Sequence, residues 1–303
     1  MILSKPDHIK IYGHRGARGN FPENTLGSFQ YLFNNSINAY ETDILISKDL
    51  IPVITHDFRL GPDVTKDSGG HWLKNDDIKI FDLTYEALSK FDISSINKKS
   101  KYGKRFADQK TLIDQKIPKL SELLELTSKN ISDELVLNLE IKSTPIEDNL
   151  TPPPEVMVKL ITDVVSKSKL KDKIIYSSFD WRVLREIKNL DPKISRAYLT
   201  SEQKGKVYDK SPWMDFMPLY DSDSRELPRL IKTLGGEAWH PKHKDISRDI
   251  VKISHEEGLP VNVWTVNEEY DMMRMIDYGV DGIMTDYPLR LKELCERKNI
   301  KWF

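Results

Sequence analysis

Ala39-Tyr40-Glu41-Thr42-Asp43-Ile44-Leu45 is a β-forming run with two carboxylates set into it. Residues two apart on a strand project from the same face, so Glu41 and Asp43 point together. In a parallel sheet both faces of a strand are covered, and an inward carboxylate is costly unless it is paired or bound to a metal. The run near 135–141 repeats the device, with Asn138, Glu140 and Lys142 alternating with Leu139 and Ile141. Outward from these two runs, strands are expected near 9–13, 39–46, 135–141, 173–178, 194–199, 236–239, 260–265 and 281–285. The run from Met214 to Tyr220 competes for the sixth place. Helical patterns fall at 22–35, 155–169, 180–190, 223–234, 246–257, 268–278 and 288–298. Eight strands alternating with helices predict an α/β fold of the (β/α)8 TIM-barrel type.

Residues 58–117 break the alternation with turn-rich, charged sequence such as Asp67-Ser68-Gly69-Gly70. A structureless loop of that length is improbable in a compact domain. The expectation is a small insertion subdomain between the second and third barrel strands, within one domain spanning 1–303. The apolar content of 39% is too high for a disordered chain, and no apolar run approaches the length of a membrane span. With 46 basic against 47 acidic residues there is no global field to favour nucleic acid or an anionic bilayer. The single cysteine, Cys295, forms no internal disulfide and offers no Cys-based metal site. Two lysines, a proline and an aspartate within Met1 to Lys10 do not read as a secretory signal, so the expected location is cytoplasmic.

Three carboxylates, Glu41, Asp43 and Glu140, converging beside one lysine suggest a hard divalent cation with oxygen ligands, Mg²⁺ or Ca²⁺. The alternative is that they are salt-bridged or solvated at strand ends. His14 ends the first strand, and His56 ends an extended run from Ile51 to Asp57 joined to the second strand by a turn. Imidazole titrates near neutral pH, so one ring can remove a proton while the other delivers one. Arg15 and Lys142 then suit a phosphate, unless they are absorbed by the neighbouring acids. Trp264, expected at the end of the seventh strand near the open face, is a candidate for an apolar or cation-binding pocket wall, and Phe179 is a similar pocket candidate; a core role is the alternative for both.

His14-Arg15-Gly16, Pro22-Glu23-Asn24-Thr25, Glu41-Thr42-Asp43, Pro52-Val53 and His56-Asp57 resemble the glycerophosphodiester phosphodiesterase family. Glu140-Ile141-Lys142, Ser177-Ser178-Phe179, Trp264-Thr265-Val266-Asn267 and Gly279-Val280-Asp281-Gly282 through Thr285-Asp286-Tyr287-Pro288 follow in the family's order, so the resemblance spans nearly the whole chain. It implies a (β/α)8 barrel with an insertion after the His-Asp motif, and metal-dependent hydrolysis of glycerophosphodiesters to glycerol 3-phosphate and an alcohol. It further implies a divalent ion on Glu41, Asp43 and Glu140, acid/base roles for His14 and His56, and phosphate neutralisation by Arg15 and Lys142. The attacking group is water or the substrate's own neighbouring hydroxyl, and the resemblance favours the hydroxyl, which has a proximity advantage.

Pro22 to Thr25 reads mainly as scaffold opening the first helix, with Glu23 suited to its dipole. Asp286 reads as a cap for the helix beginning near Pro288, and Asn138 as a residue that either orients Glu140 or is structural. His8, His71, His240, His243 and His255 match no family position. Lys98, Lys99, Lys101, Lys104 and Arg105 read as a solvated face, with attraction of anionic phosphodiesters or a lipid surface as the alternative. Two rival functions stand beside the main one. A phospholipase-type enzyme on intact lipids would need an apolar rim, and 58–117 contains no such run. A catalytically inactive barrel that binds a phosphorylated ligand would have lost a histidine or an acid, and all five are present. The expected partner is thus a small-molecule glycerophosphodiester, with no nucleic acid and no membrane span, and the oligomeric state stays open.

Overall fold

The computed structural model describes residues 8–201, 212–214 and 224–303. The strands are β1 (Lys10–His14), β2 (Ala39–Ile46), β3 (Pro52–Ile54), β4 (Arg59–Leu60), β5 (Ile78–Lys79), β6 (Val136–Ile141), β7 (Ile174–Ser178), β8 (Arg196–Thr200), β9 (Ala238–Pro241), β10 (Asn262–Val263) and β11 (Gly282–Thr285). The helices are α1 (Leu26–Asn34), α2 (Tyr85–Leu88), α3 (Leu120–Ser128), α4 (Pro154–Ser166), α5 (Trp181–Leu190), α6 (Leu227–Thr233), α7 (Arg248–Glu256), α8 (Glu269–Tyr278) and α9 (Pro288–Arg297).

Eight strands, β1, β2, β6, β7, β8, β9, β10 and β11, lie side by side in parallel. The sheet curls so that the last strand pairs with the first, Gly13 opposite Thr285. Between β9 and β10 the contact is thinner, made by parallel bridges Trp239–Val261 and Lys242–Trp264. This is the (β/α)8 barrel expected from the alternating pattern. The sixth place belongs to 238–241; Met214 sits in a short 3-10 turn, Pro212–Met214, and residues 215–220 lie outside the described residues.

Strand periodicity sorts the side chains. Tyr40, Ile44 and Ile46 of β2, with Leu137, Leu139 and Ile141 of β6, join the main apolar core that also takes in helical residues such as Phe29, Leu123 and Ile161. Each fully buried aliphatic side chain there contributes about 1.5–3 kcal/mol. The alternate positions face the barrel interior. Tyr12, Ala39 and Met284 form a small apolar plug there, with Trp264 packed against it. Two residues further along β1 and β2, on that same face, come His14 and Glu41, paired in register.

After β2 the chain does not enter a helix. It turns back as β3, antiparallel to β2 with Ile44 opposite Ile54. Residues 58–117 then hold the β4–β5 pair, α2 and irregular chain, and Leu60, Ile80, Leu88, Ile93 and Ile117 gather with Leu45 and Val53 in a separate apolar cluster. Helix α1 begins at Leu26, later than the expected 22, because Thr25 is its N-cap: the Thr25 hydroxyl accepts from Ser28 N. Loss of such a cap costs about 1 kcal/mol. Pro22 to Asn24 therefore form a loop, which corrects the reading of that motif as a helix opening.

Candidate active site

The carboxylates of Glu41, Asp43 and Glu140 each offer an oxygen within 4.8 Å of the others. The register places them: Asp43 on β2 lies opposite Glu140 on β6, and Glu41 lies opposite His14. All three are buried. Burial and the neighbouring Asp43 and Glu140 push the Glu41 carboxyl well above its ordinary range. Asp43 goes the other way: burial opposes ionisation, but Arg15, His56 and Lys142 outweigh it and hold Asp43 far below the usual carboxylate value. Glu41 Oε1 and Asp43 Oδ1 are buried without a hydrogen-bond partner. Two orphaned carboxylate oxygens beside a third carboxylate make a donor set of the kind a divalent cation takes, so the residues present fit one.

The basic residues close around this cluster. Arg15 N donates to Glu41 Oε2 at 3.0 Å, its Nη1 donates to Glu23 Oε1 at 2.7 Å, and its Nε lies 3.2 Å from Asp43 Oδ2. Arg15 and Gly16 both adopt left-handed backbone, φ 52° and 84°, and a Cβ on Gly16 would collide with Ser28. The glycine permits the turn that aims Arg15 back at the acids. Lys142, just past β6, donates from Nζ to Glu140 Oε1 at 2.7 Å and lies 3.7 Å from Asp43 Oδ1. Both cations are thus engaged by acids, the pairing that the sequence left as an alternative to phosphate contact.

His14 Nδ1 and Asp286 Oδ1 are 2.7 Å apart, and His14 Nε2 lies 3.8 Å from Glu41 Oε2. Arg18 donates to both oxygens of Asp286, from Nε at 2.8 Å and Nη2 at 3.0 Å, and Asn267 Nδ2 donates at 2.7 Å. Burial works against Asp286 ionising, but Arg18 and His14 hold its carboxyl far below the normal range. An ionised carboxylate only accepts, so Nδ1 of His14 carries the hydrogen and Nε2 is the free base. Burial and the Arg18 guanidinium push the His14 imidazole down to about 4 against the pull of Asp286, leaving it neutral at pH 7. His56 lies two residues past β3, its Nδ1 2.6 Å from Asp57 Oδ1 and its side chain 30% exposed. It is the more accessible imidazole, since the His14 side chain is 10% exposed.

His14, His56, Arg15, Glu41 and Glu140 all line one cavity of about 450 Å³. Phe179 and Trp264 form part of its wall, edge to face with ring centroids 5.4 Å apart. Trp264 is pinned from behind: its Nε1 donates to His240 O at 2.8 Å, and His243 Nδ1 lies 3.1 Å from its carbonyl oxygen. Asp43 and Lys142 reach this wall through their contacts with Arg15 and Glu140.

Several residues of the site carry more than the sequence suggested. Glu23 holds Arg15 rather than the α1 dipole. Asn24 donates to Asp43 Oδ2 at 2.9 Å and accepts from Thr42. Asp286 is not the cap of α9, whose N-cap residue is Tyr287. Arg18, Tyr102 and Asn267 were not singled out for the site, although Tyr102 hydroxyl donates to Glu23 and accepts from Arg18 Nη1 at 3.2 Å. Asn138 does not orient Glu140: neither of its buried amide atoms has a partner.

A model of the glycerophosphoryl diester phosphodiesterase family matches residues 14–290. The chain belongs to this family. Among other glycerophosphoryl diester phosphodiesterases, a Bacillus altitudinis protein named glycerophosphodiester phosphodiesterase is 28% identical over 289 residues, covering 95% of this chain and 98% of the relative. A crystal structure of a Silicibacter pomeroyi protein that carries the family's name is similar at 33% identity with a TM-score of 0.88, covering 98% of this chain and 96% of the other. A phosphodiesterase from Oleispira antarctica, solved with the product sn-glycerol-3-phosphate, shares the fold at 24% identity and a TM-score of 0.70, covering 95% and 97%. No helix among the described residues is long and apolar enough to cross a membrane.

Proposed function

We propose that this protein hydrolyses glycerophosphodiesters to glycerol 3-phosphate and an alcohol, with the 58–117 segment acting as an inserted cap on a single barrel domain. The observation that carries the reading is the convergence of Glu41, Asp43 and Glu140 within 4.8 Å, on a cavity lined by His14 and His56. Membership of the family and the name of the Bacillus altitudinis relative support the substrate class.

Glu41, Asp43 and Glu140 would hold one divalent cation, Mg²⁺ or Ca²⁺. When bound, such a cation supplies Lewis-acid polarisation of a phosphoryl oxygen and neutralises charge that grows in the transition state. Arg15 and Lys142, already turned toward these acids, neutralise the phosphate from the protein side. His14 presents an unprotonated Nε2, because Asp286 keeps the hydrogen on Nδ1; it takes the proton of the attacking hydroxyl or water. His56, held by Asp57, delivers a proton to the departing alkoxide from the more open side of the cavity. Phe179 and Trp264 offer an apolar wall to the carbons of the substrate.

The test is release of glycerol 3-phosphate from glycerophosphocholine, with and without a chelator. Release that requires an added divalent ion supports the reading. Absence of release from a panel of glycerophosphodiesters, with Mg²⁺ or Ca²⁺ present, refutes it.

A further inference from the structure

Lys98, Lys99, Lys101, Lys104 and Arg105 are all exposed, and among the described residues no ion pair joins any of them to a carboxylate. Hydrogen bonds within the chain hold their turn. Ser100 N donates to Asn97 O at 2.9 Å and Gly103 N to Ser100 Oγ at 2.9 Å, while a Cβ on Gly103 would overlap the Asn97 carbonyl. Tyr102 reaches from this turn to Glu23 and Arg18 on the cavity floor. Arg105 itself lines the cavity, with Cζ 5.7 Å from the Tyr102 ring centroid and 5.6 Å from that of Phe106.

Two rings within cation–π reach of the guanidinium favour the orientation it takes on the cavity lining. The other arginines of the cavity are already engaged, Arg15 with Glu23 and Asp43, Arg18 with Asp286. Asp57, 2.6 Å from His56, and Asp63 also line the cavity, and among the described residues neither forms an ion pair with Arg105. A solvated charged face explains Lys98 and Lys99. It does not explain a pre-oriented arginine that looks into the catalytic cavity.

We infer that Arg105, on a turn that also carries Lys101 and Lys104, forms an outer anion subsite that favours glycerophosphodiesters whose leaving alcohol carries a further negative group, a second phosphodiester or a carboxylate. The inference rests on the phosphodiesterase reading above and narrows its substrate class. The planar fork of arginine suits either anion, and the reacting phosphate would be left to Arg15 and Lys142.

The experiment compares bis(glycerophospho)glycerol and the glycerophosphodiester of glycolate, which carry a second negative group and no ammonium, with the less charged glycerophosphoglycerol, by turnover and by equilibrium binding. In the native protein the kcat/KM ratio of charged to less charged substrate should exceed one and decline with salt. In Arg105→Gln that ratio should fall about tenfold, chiefly through KM for the charged substrates, as expected for one partly screened charge-assisted hydrogen bond. Arg105→Lys should recover part of the loss. A native ratio of one or less, or a ratio that Arg105→Gln does not move, overturns the inference. Charge-selective binding without hydrolysis of any of the three would sink the hydrolase reading while leaving the subsite in place.

Discussion

The Asp286 carboxylate holds the His14 imidazole at 2.7 Å while itself gripped by Arg18 and Asn267, so the ring is fixed in orientation and tautomer by a partner that is already saturated. An amide at this position keeps the shape but can present its NH2 group to Nδ1, which would move the ring hydrogen to Nε2. Asp286→Asn should lower kcat about 10²–10⁴-fold with little change in KM. It should also cost stability, because Arg18 would be left buried without its anion. Measured kcat within a few-fold of the native value in a folded Asn variant would remove Asp286 from any positioning role.

Replacing either imidazole tests the acid/base pair directly. His14→Ala and His56→Ala should each reduce turnover by about 10²–10⁴-fold. The His56 side chain is 30% exposed, so its loss should barely change the unfolding midpoint. Native-like turnover in one of the two would exclude that residue from proton transfer.

The crowded acids make a thermal prediction that does not depend on turnover. Burial and the neighbouring acids push the Glu41 carboxyl well above its ordinary range, while Arg15, His56 and Lys142 hold Asp43 far below it. A divalent cation should therefore raise Tm, with stabilisation of about 2.7 kcal/mol at a concentration one hundred times Kd. Glu41→Gln should leave the chelated protein folded and abolish most of that rise, along with the activity restored by Mg²⁺ or Ca²⁺. An equal rise in Tm for the variant would place the cation elsewhere.

His240 gives the pH dependence a defined sign. Burial and the Lys10 ammonium push its imidazole down to about 3, so it stays neutral in the folded chain over most of the acid range. An unfolded histidine takes up a proton as the pH drops through about 6.5. The unfolded state then binds more protons, and stability is lost as the pH falls from about 6.5 toward 3. The contribution of this one group is steepest at about 1.4 kcal/mol per pH unit. Urea unfolding of His240→Gln should accordingly show a shallower decline between pH 6.5 and 4 than the native protein; parallel curves would contradict the buried neutral imidazole.

The acidic cluster and both histidines were visible in the sequence because each lies on or just beyond a strand, where the period of two fixes which side chains share a face. Glu41, Asp43 and Glu140 needed no tertiary information beyond parallel pairing in register. Asp286 was visible as a residue but not for what it touches. Its nearness to Pro288 imitates a helix cap, while its partners Arg18 and His14 come from across the closing seam. Glu23, Asn24 and Tyr102 were obscure for a similar reason: their hydrogen bonds run between loops whose approach no local pattern encodes. Residues 58–117 offered no element signal because their strands are two residues long and are held by an apolar cluster shared with β2 and β3.

The pairing of β1 with β11 has a bearing on biogenesis. His14 ends β1, yet the group that aims its ring is supplied 272 positions later. A nascent chain halted before β11 could assemble all three acids and still hold an unaimed imidazole. Enzymatic competence would therefore switch on only as β11 docks on β1, which makes catalysis a reporter of barrel closure.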